Sequence, residues 1–112
     1  MPSYVDPSLR LMRSRSKIRI RCINRTGHGA VFQKIRFIGG INNDGSTWKL
    51  SQPMAVDLIQ SGKYHFYVVV NRKPLSIIIA TSPDGQNYLK AEIDAEEPRS
   101  LLNLPECPFL TQ

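Results

Sequence analysis

Two apolar runs rich in β-branched and aromatic residues, Tyr64-His65-Phe66-Tyr67-Val68-Val69-Val70 and Leu75-Ser76-Ile77-Ile78-Ile79-Ala80, flank Asn71-Arg72-Lys73-Pro74. Such a pair predicts an antiparallel hairpin, and because both runs are apolar on both faces the hairpin is expected at the centre of a sheet. Upstream, Lys17 to Ile23 alternates strictly, with Ile18, Ile20 and Cys22 on one side and Lys17, Arg19 and Arg21 on the other, as in a half-buried strand. After a turn at Thr26-Gly27-His28-Gly29, Val31 to Ile38 predicts a second strand, with Ile35 and Phe37 inward and Lys34 and Arg36 outward, stopping at Gly39-Gly40.

Ile41-Asn42-Asn43-Asp44-Gly45-Ser46 reads as a loop leading to a short extended piece around Trp48. Ser51 is placed as a helix N-cap with Pro53 in the first turn, and the helix from about Gln52 to Ser61 ends at Gly62 as a C′ residue. Its expected inner face is Met54, Ala55, Leu58 and Ile59, with Asp57 and Gln60 opposite. Ser82-Pro83-Asp84-Gly85 predicts a turn into a strand through Tyr88 and Leu89. Beyond Ala91 the chain is acidic and punctuated by proline, and Leu101-Leu102-Asn103-Leu104 is the part apolar enough to pack back on the body. The expected fold is α+β, with about five mostly antiparallel strands and one helix packed on one face. No internal repeat is evident in the sequence.

Composition bounds this picture. The chain has 112 residues, 41% of them apolar and 21% charged, which suits one soluble domain. Residues 1–16 hold two prolines, four serines and three arginines without an apolar period, and read as a flexible basic arm. Residues 17–112 then form the single domain, with the tail 91–112 packed or partly extended. There is neither a secretory leader nor an apolar run of the ~18 residues that cross a bilayer, so a cytoplasmic protein that does not engage a membrane is expected. A reducing compartment predicts free thiols at Cys22 and Cys107, Cys22 being a small core residue.

A net charge of +6 points to an acidic partner. Lys17, Arg19, Arg21, Lys34 and Arg36 are expected to share one solvent face, a basic plate continuous with Arg10, Arg13 and Arg15 of the arm. Cations on a sheet face track phosphates, and Tyr4 or Tyr67 would stack on bases. The plainer alternatives are that these charges guard a strand edge, or that Glu92, Asp94, Glu96 and Glu97 fold over and neutralise them. A second candidate is the Gly39 to Ser46 loop, where Gly39, Gly40, Asn42, Asn43 and Asp44, with Trp48 beside them, have the composition of a phosphate or cation cradle. It lacks the lysine and serine of a P-loop and the closing glutamate of a calcium loop, so a plain turn pinned by a buried Trp48 is the simpler reading. His28 and His65 lack catalytic partners in any recognised spacing, and neither a metal set nor a cofactor motif is visible, so a non-enzymatic domain is expected.

With Ile38-Gly39-Gly40, Asp44-Gly45-Ser46, Trp48, Gly62-Lys63-Tyr64, Phe66-Tyr67-Val68, Tyr88-Leu89-Lys90 and Leu101-Leu102-Asn103-Leu104-Pro105-Glu106-Cys107, the chain resembles a family of small bacterial proteins known as a domain of unknown function, DUF3892, from about Lys17 to Cys107. The resemblance implies a compact standalone domain with no assigned activity, and it transfers no catalytic residue. Two features depart from the family pattern: Asn71-Arg72-Lys73-Pro74 reads as a longer, more basic connection than a tight glycine turn, and Met54 stands where an acidic capping partner is more typical. The functional expectation is a binding domain for an acidic partner, nucleic acid foremost. The alternatives are a protein-interaction module or inhibitor that docks through a sheet edge or the Pro-rich C-terminus, a homodimer included, and a binder of a small phosphorylated ligand.

Overall fold

The computed structural model describes residues 17–26 and 34–108. Along the chain run β1 (Lys17–Arg19), β2 (Cys22–Arg25), β3 (Ile35–Ile41), β4 (Thr47–Ser51), α1 (Gln52–Gln60), β5 (His65–Val70), β6 (Lys73–Thr81), β7 (Asn87–Ala91) and α2 (Arg99–Leu102). The α+β class holds, but the strands form two sheets, β1-β5-β6-β7 and β2-β3-β4. The expected first strand is divided between them. Ile20 N donates to Tyr67 O at 2.8 Å, and the next residue, Arg21, donates to Gly39 O at 2.9 Å, so the chain changes sheets at one peptide. Alternation continues across the break, with Ile18, Ile20 and Cys22 all buried, so periodicity alone reads it as one strand. β1 lies parallel to β5, and the remaining strand pairs are antiparallel.

The apolar hairpin sits, as expected, at the middle of the larger sheet. Its connection is shorter than the sequence suggested. Val70 pairs with Lys73, leaving Asn71 (φ 52°) and Arg72 (φ 67°) as a two-residue turn. Positive φ at both centres is the geometry whose twist matches flanking strands, and it demands no glycine if side-chain strain is tolerated.

β3 departs from simple alternation for a local reason. Arg25 pairs with Ile35 and Asn24 with Phe37, so Arg36 is the extra residue of a bulge. The bulge reverses the phase: Ile35 and Ile38 both point to the core, while Phe37 is half-buried under the Arg36 guanidinium at 5.4 Å and the Lys49 ammonium at 5.1 Å from its ring centre. In α1, Ser51 Oγ accepts from Met54 N at 3.3 Å, and Gly62 (φ 77°) follows the Ser61 C-cap. The buried stripe is Gln52, Ala55 and Val56, joined by half-buried Ile59; Met54, expected inside, is 55% exposed. Positions 52, 55, 56 and 59 share one helical face, and 54 falls outside it.

A repeat invisible to simple inspection emerges from the topology. β2-β3-β4-α1 and β5-β6-β7-α2 have the same order, and their last two strands are joined by the same turn. Asn42 N bonds Ser46 O at 2.7 Å and Ser82 N bonds Gln86 O at 2.8 Å; Gly45 N bonds Asn42 O and Gly85 N bonds Ser82 O, each at 2.9 Å. Gly45 (φ 89°) and Gly85 (φ 91°) follow Asp44 and Asp84, and buried Trp48 and Tyr88 follow in turn. Asp-Gly and one aromatic are all that the two turns and their following strands keep in common, too little to register as sequence periodicity.

The two units are stitched by Gln52, which the amphipathic pattern did not single out. Its Nε2 donates to Ile35 O and its Oε1 accepts from Leu89 N, both at 2.8 Å, joining β3 to β7 through the interior. The core cluster includes Ile18, Ile20, Ile23, Ile38, Phe66, Val68, Leu89 and Leu101.

The C-terminal segment completes the smaller sheet. Ile23 N donates to Pro105 O at 3.0 Å and Cys107 N to Ile23 O at 2.9 Å, a parallel bridge along β2. Arg25 donates to Leu102 O, Leu104 O and the Glu106 carboxylate, and Asn24 Nδ2 donates to the other Glu106 oxygen at 3.0 Å. Cys22 and Cys107 are joined in a disulfide, which corrects the expectation of free thiols. The bridge reflects a neighbourhood that sequence separation hid: the same strand pairing that sets Pro105 beside Ile23 brings the two sulfurs together. Among the described residues no helix is long and apolar enough to cross a membrane.

Candidate functional site

The parallel register of β1 and β5 decides which cations can act together. Ile18 pairs with Phe66, both buried, so the alternate pairs Lys17/His65 and Arg19/Tyr67 face away from the core. Where the chain then turns into β2, Arg21 comes alongside the β3–β4 hairpin through its bond to Gly39. The result is a cleft of about 250 Å³ lined by Lys17, Arg19, Arg21, Asn43, Trp48 and Tyr67, with no carboxylate in its wall among the described residues.

Glycine makes the close approach possible. A Cβ at Gly40 would lie 2.7 Å from Trp48 Nε1 and 2.8 Å from Arg19 O, so its absence lets the indole and the β1 backbone meet. Trp48 is 8% exposed and its ring lies 5.8 Å from that of Phe66, so the cleft rests on a rigid aromatic wall. Arg19 is a half-buried residue of its lining, and among the described residues its Nε is shielded from solvent without a hydrogen-bond partner. An unpaired buried guanidinium nitrogen is costly.

The expected basic plate divides in two. Lys34 lies at the far end of β3, six residues from Gly40, about 20 Å at the rise of an extended strand. There it lines a second cleft with Ile93, Asp94, Glu96, Glu97 and Arg99. The acidic segment therefore sits beside Lys34 and leaves Lys17, Arg19 and Arg21 uncovered. That segment is held in place: Tyr88 donates to Glu96 O at 2.9 Å, Lys90 Nζ to Asp94 O and Ala95 O, and Asp94 accepts from Ala91 N and Ser100 Oγ. Burial foremost, and the Glu96 carboxylate after it, push the Tyr88 phenol above its ordinary pKa and keep it a donor. Arg36 is exposed at the bulge, and Arg10, Arg13 and Arg15 lie outside the described residues.

The Gly39 to Ser46 loop is also redrawn. Gly39 and Gly40 belong to β3, where a Cβ at Gly39 would meet the disulfide sulfurs at 2.9 and 3.1 Å. Asn42 is buried, and its Nδ2 donates to Ser46 Oγ at 2.9 Å. Asp44 accepts from Ser46 N at 3.0 Å and Ser46 Oγ at 2.6 Å, bonds that hold the turn itself. Asn43 and Trp48 reach the cationic cleft instead, a convergence set by the β3–β4 hairpin folding over Gly40. Among the described residues no group of three or more His, Cys, Asp or Glu is placed to hold a metal ion.

No curated protein and no solved structure shows significant similarity to the chain. The family model described as protein of unknown function (DUF3892) matches residues 19–105, spanning β1 to the C-terminal strap, and the chain therefore belongs to the DUF3892 family.

Proposed function

We propose that the protein is a non-enzymatic binding module that engages an acidic partner, nucleic acid foremost, through the cleft of Lys17, Arg19 and Arg21. One observation carries the reading: among the described residues, three cations share a cleft whose wall has no carboxylate. Surface cations in a soluble protein usually meet water or a neighbouring acid, as Arg25 and Arg99 do with Glu106 and Glu97. The cleft offers donors and aromatic faces suited to holding an anion. The basic arm at residues 1–16 would extend the same field.

The test is electrophoretic retardation of DNA and RNA at low and moderate salt. Binding should weaken steeply as salt rises, since each neutralised phosphate releases counterions. Arg19→Gln with Arg21→Gln should reduce retardation at every salt concentration, whereas Lys34→Gln should leave it nearly unchanged. Failure of the intact protein to retard any nucleic acid at low salt would remove the reading.

A further inference from the structure

We infer that the cationic cleft is the middle of a longer groove shaped for single-stranded nucleic acid, with about three successive phosphates along Lys17, Arg19 and Arg21. This rests on the anionic-partner reading above and narrows it to one polymer. Two mainly apolar clefts abut the cationic one. On one side, Lys17 and Tyr67 are shared with a cleft of about 580 Å³ that continues onto Val69 and Pro74. On the other, Arg21 and Ile41 are shared with a cleft of about 320 Å³ that continues onto Thr47, Pro105 and Pro108. The order is apolar, cationic, apolar.

Three features favour a strand with bases over other anions. Lys17 and Arg19 stand about 6.6 Å apart on β1 and Arg21 lines the same cleft past the change of sheets, so the cations follow one another in chain order, which suits the successive phosphates of an extended strand better than one isolated phosphate. The flanking walls offer the Tyr67 ring, three prolines and Ile41, which is 53% exposed, and these surfaces suit the flat faces of unstacked bases. An acidic peptide would bring charge without such faces. Arg19 is half-buried in the lining of the cleft, which suits a single backbone that enters it better than the convex surface of a duplex. Among the described residues the one carboxylate on the groove, Glu106, is already engaged by Arg25 and Asn24.

Fluorescence anisotropy decides the matter, using a labelled oligothymidylate of about eight nucleotides, its oligouridylate counterpart, a duplex of equal length and polyglutamate of equal charge. The single strands should bind at least tenfold more tightly than duplex or polyglutamate, and the two sugars distinguish DNA from RNA as the source. Tyr67→Leu should weaken oligothymidylate binding about tenfold with an unchanged salt slope, and Tyr67→Phe should restore it. Arg19→Gln should make that slope shallower by about 0.7. Equal affinity for duplex or polyglutamate, or a folded Tyr67→Leu protein that binds like wild type, would overturn the single-strand inference while leaving an anion-binding module standing. If Tyr67→Leu fails to fold, the ranking of the four probes on the wild-type protein decides alone. Binding to none of them at low salt would remove both.

Discussion

Replacing Gln52 by leucine removes a side chain that bonds both sheets through the core, and the structure allows the cost to be worked out. Two interior bonds disappear, leaving Ile35 O and Leu89 N–H facing an apolar group. Each orphaned buried backbone group costs about 1–3 kcal/mol. Burying leucine's extra apolar surface returns about 1–2 kcal/mol. The net loss should be about 3 kcal/mol, or about 15 °C in midpoint for a domain of this size. Urea unfolding followed by far-ultraviolet circular dichroism and by the fluorescence of Trp48, the chain's single tryptophan, measures it directly. Gln52→Glu sharpens the reasoning. A carboxylate still accepts from Leu89 N–H but turns a second oxygen toward Ile35 O, so the fold favours its protonated form and raises its pKa above the unfolded value. The deficit against wild type should then be full at neutral pH and shrink as pH falls below the folded-state pKa. A Gln52→Leu protein within about 0.5 kcal/mol of wild type would refute the stitching role.

Three further outcomes are expected. Arg72 holds φ 67° without being glycine, so Arg72→Gly should stabilise the hairpin by about 1 kcal/mol in urea unfolding; a loss of stability would show that the Arg72 side chain contributes elsewhere. Hydrogen bonds from Asn24 first, then from Arg25, lower the Glu106 pKa against opposing desolvation. Its contribution is present above the unfolded carboxyl pKa and lost as pH falls through the folded one, so the stability gap between wild type and Glu106→Gln should close under acid conditions and persist at neutral pH; a gap that stays constant would refute the assignment. The Cys22–Cys107 bridge spans 85 residues, and chain entropy for such a loop gives about 4–5 kcal/mol. Reductant should therefore lower the urea midpoint markedly, and oxidised protein should take up no thiol reagent even in denaturant; an unchanged midpoint would refute it.

What sequence could disclose was local. The pairing of the two central strands, the Ser51 cap, the Gly62 stop and the Ser82–Gly85 turn each depend on a few adjacent residues, and each stands where the pattern put it. The departures have non-local causes. A strand that changes partner between Ile20 and Arg21 keeps its alternation, so no periodicity reports the switch. The Arg36 bulge is defined by its register against β2, and the disulfide by the docking of residues 105–107 on Ile23. Of the candidate site, the alternation of Lys17, Arg19 and Arg21 was legible, while Asn43, Trp48 and Tyr67 join them only because Gly40 admits the indole and β1 lies parallel to β5. Lys34 looked equivalent on paper, and the length of β3 separates it from the others.

The crossing of β1 into the other unit's sheet also bears on synthesis. As the chain leaves the ribosome, Lys17–Arg19 has no parallel neighbour until His65–Tyr67 has been made, and Ile23 waits for Pro105 and Cys107. The earliest described strands are thus finished by later ones, and the cationic cleft, floored by the first of them, cannot assemble on a nascent half-chain.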